Sequence, residues 1–168
     1  MKKKIFLLSL ISFFGVMNAQ RVQKGEAQMN VGIGLANGWG MPVYAGVDYG
    51  IHKDITVGAE GSFSTEKYSG DVKGRWISVG LNGNYHFNTL LKIPNKFDVY
   101  AGVTLAYNSF SYRYKGSDYD YLGGESSGVG FAGQAGARYY FTDHFAVNVE
   151  VGGGSVASGG KAGISYKF

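Results

Sequence analysis

The sequence predicts an all-β protein, specifically an eight-stranded antiparallel up-and-down transmembrane β-barrel. After residue 20 the chain contains eight segments in which apolar and polar residues alternate, which is the period of a strand with two different faces. The segments are about ten residues long, the length with which a tilted strand crosses a bilayer. Their polar face is rich in glycine, and small residues fit the narrow interior of an eight-stranded barrel.

The first 19 residues are predicted to be a cleaved signal peptide. Lys2–Lys4 form a basic stretch, and Ile5–Phe14 form an apolar stretch of the length found in signal peptides. This apolar run is much shorter than the roughly 20 residues that a transmembrane helix requires. A cut after Ala19 leaves residues 20–168 as the barrel domain. The sequence contains no cysteine, which excludes disulfides and a lipid-modified cysteine.

Removal of this leader leaves a chain that is close to neutral. The sequence has 16 Lys and Arg against 12 Asp and Glu, and the three leader lysines reduce the basic count to 13. A nearly neutral protein gives no electrostatic reason to expect a nucleic-acid partner. We therefore expect no nucleic acid to bind.

The eight segments are predicted as strands in chain order, each on the strength of its alternation. They are Ala27–Ala36, Val43–Gly50, Ile55–Ser64, Trp76–Phe87, Phe97–Asn108, Gly128–Phe141, Phe145–Gly154 and Ala162–Phe168. Their alternating apolar residues begin, in the same order, with Met29 and Val31, Val43 and Ala45, Ile55 and Val57, Ile77 and Val79, Phe97 and Val99, Val129 and Phe131, Phe145 and Val147, and Ile164 and Tyr166. The clearest case is the hairpin YYFTDHFAVNVEVG, which has a short polar turn followed by strict alternation.

The connections differ in length in a way that orients the barrel. Ile51–Asp54 and Thr142–His144 are tight turns, whereas Thr65–Arg75 and Ser109–Ser127 are long and polar. Short turns on one rim and long loops on the other are typical of membrane barrels, with the short turns facing the periplasm. Asn88–Lys96 is an exception, because a longer link stands where a short turn is expected. Asn37–Pro42 and Ser155–Lys161 are predicted as loops of moderate length.

The polar face is predicted to point inward and the apolar face outward to lipid. A face in bulk water would carry long charged side chains, but this one alternates small residues with a few large polar ones. Acids and bases spread over several strands are expected to pair across the lumen, because buried charges must be paired. The predicted interior polar network consists of Asp48, Glu60, Asp98, Arg138, Glu150 and Lys167. A structural role for this network is favoured over a proton path or a gate.

The residues that carry this pattern resemble the small outer-membrane β-barrel family of OmpA/OmpX type. They are the leader, the eight strands rich in glycine and aromatic residues, the YYFTDHFAVNVEVG hairpin and the terminal AGISYKF, and the resemblance covers residues 25–168. It implies a monomer in the cell outer membrane, with outer-membrane lipid as its surroundings and no wide pore. It also implies a structural or adhesion role and no cofactor.

No catalytic, cofactor-binding or metal site is expected. Ser78, His86 and Asp98 share the interior parity and are the best candidates for a catalytic set, but eight strands make such coincidences easy. The sequence has no G-x-S-x-G motif and no histidine cluster with metal-ligand spacing. An enzyme is therefore disfavoured, although some outer-membrane barrels modify lipids.

The stretch Ser109–Gly128 is the most distinctive exposed segment. It combines tyrosines with mixed charges, which suits contact with a protein or a glycan because tyrosine supplies apolar area and a hydrogen bond. The candidate contact residues are Tyr112, Arg113, Tyr114, Lys115, Tyr119 and Tyr121. A solvated loop is the alternative for this segment. For the whole chain, the main alternative is a secreted soluble barrel with its faces reversed, binding a small apolar ligand.

Overall fold

The computed structural model describes residues 20–36, 40–67, 72–114, 120–121, 127–155 and 158–168. The predicted signal peptide lies outside the described residues. The strands are β1 (Ala27–Ala36), β2 (Val43–His52), β3 (Ile55–Lys67), β4 (Val72–His86), β5 (Phe97–Tyr114), β6 (Asp120–Tyr121), β7 (Gly128–Tyr140), β8 (Phe145–Gly154) and β9 (Gly159–Lys167). One helical turn, α1 (Asn88–Leu91), lies between β4 and β5.

Eight of these strands close into an antiparallel barrel, as predicted. Each of β1–β5 and β7–β9 pairs with its neighbours in the chain, and β1 pairs with β9 to complete the ring. The two-residue β6 adds only a short pairing to the end of β5. Because the ring is closed, every barrel strand has a partner on both sides and no edge is left open within the membrane. The described residues include no helix that is long and apolar enough to cross a membrane.

Several strands run further than the sequence indicated, on the rim away from the tight turns. The predicted loops Thr65–Arg75 and Ser109–Ser127 are partly wrong, because β3 continues to Lys67, β4 begins at Val72 and β5 continues to Tyr114. Alternation of apolar residues stops there, but antiparallel pairing does not, and the ladder still satisfies the backbone hydrogen-bonding groups.

The beginning of the last strand is a second correction. Lys161, predicted to end a loop, lies within β9, which starts at Gly159 and pairs with the end of β1. Elsewhere the differences are one or two residues at strand ends: Phe87, Phe141 and Phe168 each lie just beyond a strand.

The two faces of the sheet point as predicted. Outward residues such as Val129 and Phe131 are 72% and 70% exposed, whereas inward Asp98 is fully buried. Most of the buried side chains are polar or charged. A soluble barrel would instead carry its apolar side chains in the interior. The alternative of a secreted soluble barrel that binds a small apolar ligand is therefore wrong for this fold.

Aromatic side chains gather near the rim that carries the tight turns. Phe97 packs on Tyr139 with ring centroids 5.0 Å apart, and Tyr166 contacts both Phe145 and Phe168, at 4.9 and 5.2 Å. Aromatic rings of this kind are typical of the membrane–water interface, where one side of the ring meets lipid and the other meets water.

Candidate functional site: the polar lumen

The half of the lumen nearer the tight turns is called the lower half, and the other is called the upper half. Arg138 on β7 lies at the centre of the lower half. Its Nη2 donates to Asp48 Oδ2 on β2 at 2.7 Å, and its Nη1 donates to Asp98 Oδ2 on β5 at 3.2 Å. The guanidinium also lies 4.3 Å from the centre of the Tyr100 ring. All four residues are buried. One cation thus links the neighbouring strands β5 and β7 to β2 on the opposite wall of the barrel, in the paired form that a buried charge requires.

A chain of hydrogen bonds extends this cluster across the barrel. Tyr44 donates to Asn148 at 2.7 Å, and Asn148 donates to Ser165 at 2.8 Å. Ser165 then donates to Asn30 at 2.7 Å, and Asn30 donates to Asp48 at 2.9 Å. The chain connects β2, β8, β9 and β1 before it returns to β2. The three middle groups, Asn148, Ser165 and Asn30, each donate one hydrogen bond and accept another, so these side chains satisfy one another within the lumen.

His86 lies between an acid and a hydroxyl at the end of the lumen near the tight turns. Its Nδ1 is 2.7 Å from Asp98 Oδ1, and its Nε2 is 3.0 Å from Thr56 Oγ1. The sequence suggested Ser78 as the hydroxyl, but Ser78 lines a cavity in the other half of the lumen. Thr56, His86 and Asp98 are each at most 2% exposed, so the geometry resembles a catalytic triad that is closed off from substrate.

Lys161 on β9 organises the upper half. Its Nζ is 2.8 Å from both carboxylate oxygens of Glu60 on β3 and 2.9 Å from Glu150 Oε1 on β8. The other oxygen of Glu150 accepts a hydrogen bond from Tyr100 at 2.9 Å. The ammonium also lies 4.9 Å from the centre of the Tyr44 ring. These three charged groups are partly exposed because they face a cavity.

That cavity has a volume of about 110 Å³ and occupies the upper lumen. Glu60, Glu150 and Lys161 contribute to its lining, together with Trp76 and several small residues. The indole N–H of Trp76 is buried without a hydrogen-bond partner among the described residues. Below the ion cluster lies a void of about 10 Å³, bordered by Asp48, Arg138 and the two glutamates. This is close to the smallest space that holds one water molecule.

Glycine on the inward face permits this packing. At Gly163, a Cβ would contact the carbonyl oxygen of Val31 and lie 2.6 Å from the Tyr44 hydroxyl. At Gly58, a Cβ would lie 2.5 Å from side-chain oxygens of Asp48 and Asn82. By contrast, the outward Gly133 has nothing within 4 Å. The inward glycines therefore make room for the large polar side chains that cross the lumen.

The segment before β1 packs against the end of the lumen that carries the tight turns. Arg21 is 5% exposed, and its Nη2 donates to Asp54 Oδ1 at 2.9 Å and to Thr89 Oγ1 at 3.3 Å. Thr89 in α1 in turn donates to Asp54 Oδ1 at 2.5 Å. The adjacent Val22 is buried as well. The long Asn88–Lys96 link, exceptional by sequence, thus brings Thr89 to the latch formed by Arg21, Asp54 and Thr89.

The charge of Asp54 is stabilised in this latch. Burial alone would raise the pKa of the carboxyl, but the hydrogen bonds from Thr89 and Arg21 and the Arg21 charge outweigh it. The pKa of Asp54 is consequently held below its ordinary value. At neutral pH the latch is an ion pair between Arg21 and an ionised Asp54.

The six residues predicted as one interior network fall into three places. Asp48, Asp98 and Arg138 form the lower cluster, and Glu60 and Glu150 join Lys161 in the upper one. Lys167 lies apart from both, and pairs with Glu26 at 3.2 Å near the rim that carries the tight turns.

Four of the six predicted contact residues of the long loop lie in strands that reach the opposite rim. Tyr112, Arg113 and Tyr114 belong to β5, and Tyr121 in β6 is paired with Tyr112. Lys115 and Tyr119 lie outside the described residues.

Sequence reasoning missed Lys161 and Arg21. Lys161 shares the parity of Gly163, Ser165 and Lys167, so alternation extended toward the N-terminal end of the segment would have placed it inside. Arg21 follows no alternation, because it lies before β1 and acts through the latch. Among the described residues, no group of three or more His, Asp or Glu side chains is arranged to hold a metal ion.

Comparison with known proteins identifies the family of this fold. The model of the outer membrane protein beta-barrel domain matches residues 6–168. No curated protein matches the sequence. Several solved structures share the fold, and three of them serve as examples. The N-terminal barrel of OprF from Pseudomonas aeruginosa is 16% identical with a TM-score of 0.61, and 86% of this chain aligns with 98% of that one.

OprG and Ail are two further solved structures with this fold. OprG from Pseudomonas aeruginosa is 15% identical with a TM-score of 0.59, covering 89% of this chain and 99% of that one. Ail of Yersinia pestis, the attachment invasion locus protein, is 14% identical with a TM-score of 0.55, covering 87% and 100%. At these identities the similarity concerns the fold alone.

Proposed function

The chain belongs to the outer membrane protein β-barrel family, and we propose that it is a monomer whose lumen is filled by side chains. It stands in the outer membrane, and we propose that it serves as a structural and surface-contact protein rather than as a pore. We also propose that its signal peptide, residues 1–19, is cleaved off. An intact mass that matches residues 20–168 would support this cleavage.

The position of Arg138 is the observation that carries the proposal. Its salt bridge to Asp48 connects β7 to β2 across the lumen, and its salt bridge to Asp98 holds the neighbouring strand β5 to the same cluster. The cavity above ends at the Lys161 cluster, and the void beneath holds at most about one water molecule. Ions would have to displace both clusters and the Arg21 latch in order to pass.

Conductance in planar bilayers tests the closed lumen. We expect the refolded chain to insert without lasting open-channel steps. Replacement of the upper cluster, in Glu60→Ala/Lys161→Ala, should not open the barrel because the Arg138 cluster remains. Stable conductance of the unmodified chain would contradict the proposal.

The surface-contact role rests on the rim formed by β4 and β5. These are the two longest described strands, with 15 and 18 residues; β5 leads directly into the tyrosine-rich loop, and β4 pairs with it up to Tyr114. The partner is proposed to be a protein or a glycan. Ail has been crystallised with the heparin analogue sucrose octasulfate, which shows that one barrel of this shape can bind a sulfated sugar.

Binding of whole cells to immobilised proteins and glycans tests this role. Expression of the chain should increase binding, and replacement of Tyr112, Tyr114, Tyr119 and Tyr121 by serine should remove the increase. The matched control replaces Tyr85 and Tyr139, on the outward face near the opposite rim, by phenylalanine. Equal loss in both variants would contradict a role of the loop.

The triad-like group of Thr56, His86 and Asp98 favours a second candidate, a lipid-modifying enzyme. We assign these residues a structural role, because all three are buried and Asp98 is already bound by Arg138. Outer-membrane lipid from expressing cells should keep its mass spectrum, with no difference between the unmodified chain and His86→Gln. A modification lost in that variant would establish the enzyme instead.

A further inference from the structure

The floor of the upper cavity carries more negative than positive charge. Glu60, Glu150 and Lys161 line the cavity, so two carboxylates there share one ammonium. Their side chains are 21%, 15% and 27% exposed, which leaves part of each in contact with the cavity. No other acidic or basic side chain among the described residues lines it. One negative charge at the floor is therefore not balanced by the lining.

Hydrogen bonding at this floor favours a donor over an acceptor. The Lys161 Nζ carries three N–H donors, and its three close contacts are with both oxygens of Glu60 and with Glu150 Oε1. A carboxylate oxygen has two lone pairs, and each of these three oxygens uses one of them toward Lys161. An anion would therefore find no N–H group left on the ammonium. The N–H groups of a second cation would find acceptor oxygens on both glutamates.

The walls above the floor suit an aliphatic body. Pro42, Tyr44, Trp76 and Ala106 line the cavity and are buried. The Tyr44 ring lies 4.9 Å from the Lys161 ammonium, and aromatic faces attract cations. The cavity volume of about 110 Å³ is below the roughly 150 Å³ of a cavity that binds benzene, which limits the enclosed body to about four carbon atoms.

Trp76 bounds the cavity on the side of the upper rim. It stands opposite Ser64, four residues beyond Glu60 on β3, so its backbone lies about 13 Å from the level of Glu60 along the strand. Its indole N–H is buried and has no hydrogen-bond partner among the described residues. The indole is thus a part of the cavity wall that is separate from the ion cluster, and its N–H signal can report on an occupant.

We propose that the upper cavity binds a small organic cation of the primary alkylammonium class. Its N–H groups bond to Glu60 and Glu150, and its apolar body packs against Tyr44, Ala106 and Trp76. The cation balances the charge of the floor, as charges inside a barrel require. The ligand stays above the Arg138 cluster, so the site is a pocket in a closed barrel and is independent of the surface-contact role.

NMR titration of the refolded mature chain in detergent micelles tests this proposal. The probe is isobutylammonium, compared with isobutanol as the neutral analogue, isobutyrate as the anionic analogue and the ammonium ion as the head group alone. The indole N–H signal of Trp76 gives the dissociation constant, and Trp39→Phe assigns this signal because the sequence has two tryptophans. A heat-dependent shift in gel mobility verifies the fold of each variant independently of binding.

Glu60→Gln removes the excess negative charge and keeps the pair of Glu150 with Lys161. We expect it to weaken isobutylammonium binding roughly tenfold, because a hydrogen bond to a charged group contributes about that factor. The matched control Asp143→Asn makes the same change of charge in a tight turn at the opposite rim. It should change the affinity less than about twofold, because salt screens distant charges.

Ala132→Leu tests the cavity without altering a charge. Ala132 lines the cavity, and the larger side chain should occupy the space of the alkyl body and abolish binding. Ala135→Leu, the same substitution on the exposed outward face of β7, is the control and should leave binding unchanged. This pair of variants tests the site even if Glu60→Gln fails to refold.

We expect the unmodified chain to bind isobutylammonium roughly tenfold more tightly than isobutanol, and isobutyrate to cause no saturable shift. Equal affinity for isobutylammonium and isobutanol would overturn the proposal in favour of a purely apolar cavity. Equal affinity for the ammonium ion would indicate a site for inorganic cations only, and preference for isobutyrate would indicate an anion site at Lys161. Binding that persists in Ala132→Leu, or no saturable shift with any probe, would exclude the cavity as the site.

Discussion

Lys161 and Glu60, 101 residues apart in sequence, form a bidentate ion pair across the lumen, with Nζ 2.8 Å from each carboxylate oxygen. They lie on β9 and β3, which are separated in the ring by β1 and β2. The pair therefore does not hold neighbouring strands together. It connects opposite walls of the barrel and forms the floor of the upper cavity.

Removal of the Lys161 charge should destabilise the barrel. Lys161→Met leaves Glu60 and Glu150 without a cation, and we expect a loss of about 1–3 kcal/mol, less than the 3–5 kcal/mol typical of fully buried pairs because these groups face a cavity. Urea unfolding in lipid vesicles measures this loss. The double variant Glu60→Gln/Lys161→Met should recover part of it. An unfolding free energy unchanged in Lys161→Met would mean that the pair is not formed in the membrane.

Replacement of Arg138 should cost more. Arg138→Met leaves Asp48 and Asp98 buried together without their cation, so we expect a loss of about 3–5 kcal/mol. Arg75→Met is the matched control, since the same side chain is removed from an exposed position and a change within about 0.5 kcal/mol is expected. The same urea titration compares them. Similar losses in the two variants would contradict a central role of Arg138.

The inward glycines should not tolerate a methyl group. In Gly163→Ala the new Cβ meets the Val31 carbonyl and the Tyr44 hydroxyl, and overpacking of this kind costs about 1–3 kcal/mol. Gly133→Ala, on the outward face with open space around it, should be neutral or slightly stabilising. Unfolding midpoints of the two variants, measured side by side, distinguish them. The reverse order would mean that the faces are exchanged.

A charge on the lipid face should be costly as well. Val149 is 57% exposed in the middle of β8, and Val149→Arg should destabilise the barrel by about 2–4 kcal/mol in bilayers. Val149→Leu is the control and should have little effect. A harmless Val149→Arg would contradict the assignment of this face to lipid.

The Arg21–Asp54 latch should contribute stability only above a low pH. Because the pKa of folded Asp54 lies below its ordinary value of about 3.9, the folded state binds this proton less readily than the unfolded chain. The contribution of the ion pair to the unfolding free energy is fully present at pH values above the ordinary pKa of Asp54. It is lost as the pH falls through the pKa of Asp54 in the folded state. The difference in unfolding free energy between the unmodified chain and Asp54→Asn should therefore be constant near pH 7 and shrink below about pH 4. A difference that stays constant down to pH 2.5 would exclude the ion pair.

The sequence predicts strand number, topology and the direction of both faces, because alternation along β2 or β8 depends only on which side of the sheet meets lipid. It predicts strand ends less well above the membrane. Between Lys67 and Lys73, for example, pairing continues after the hydrophobic signal has ended. The partners in the lumen cannot be predicted, because the contact of Arg138 with Asp48 depends on the stagger of the whole ring. The place of Arg21 depends on tertiary packing alone.

Gel mobility of the refolded mature chain, with and without boiling, tests the central claim most directly. The chain, residues 20–168, is folded either in lipid vesicles or in plain buffer. We predict a folded form with altered mobility before boiling that appears only with lipid, since the outward apolar face requires it. Complete folding in plain buffer, with the same mobility in both conditions, would contradict an integral outer-membrane barrel.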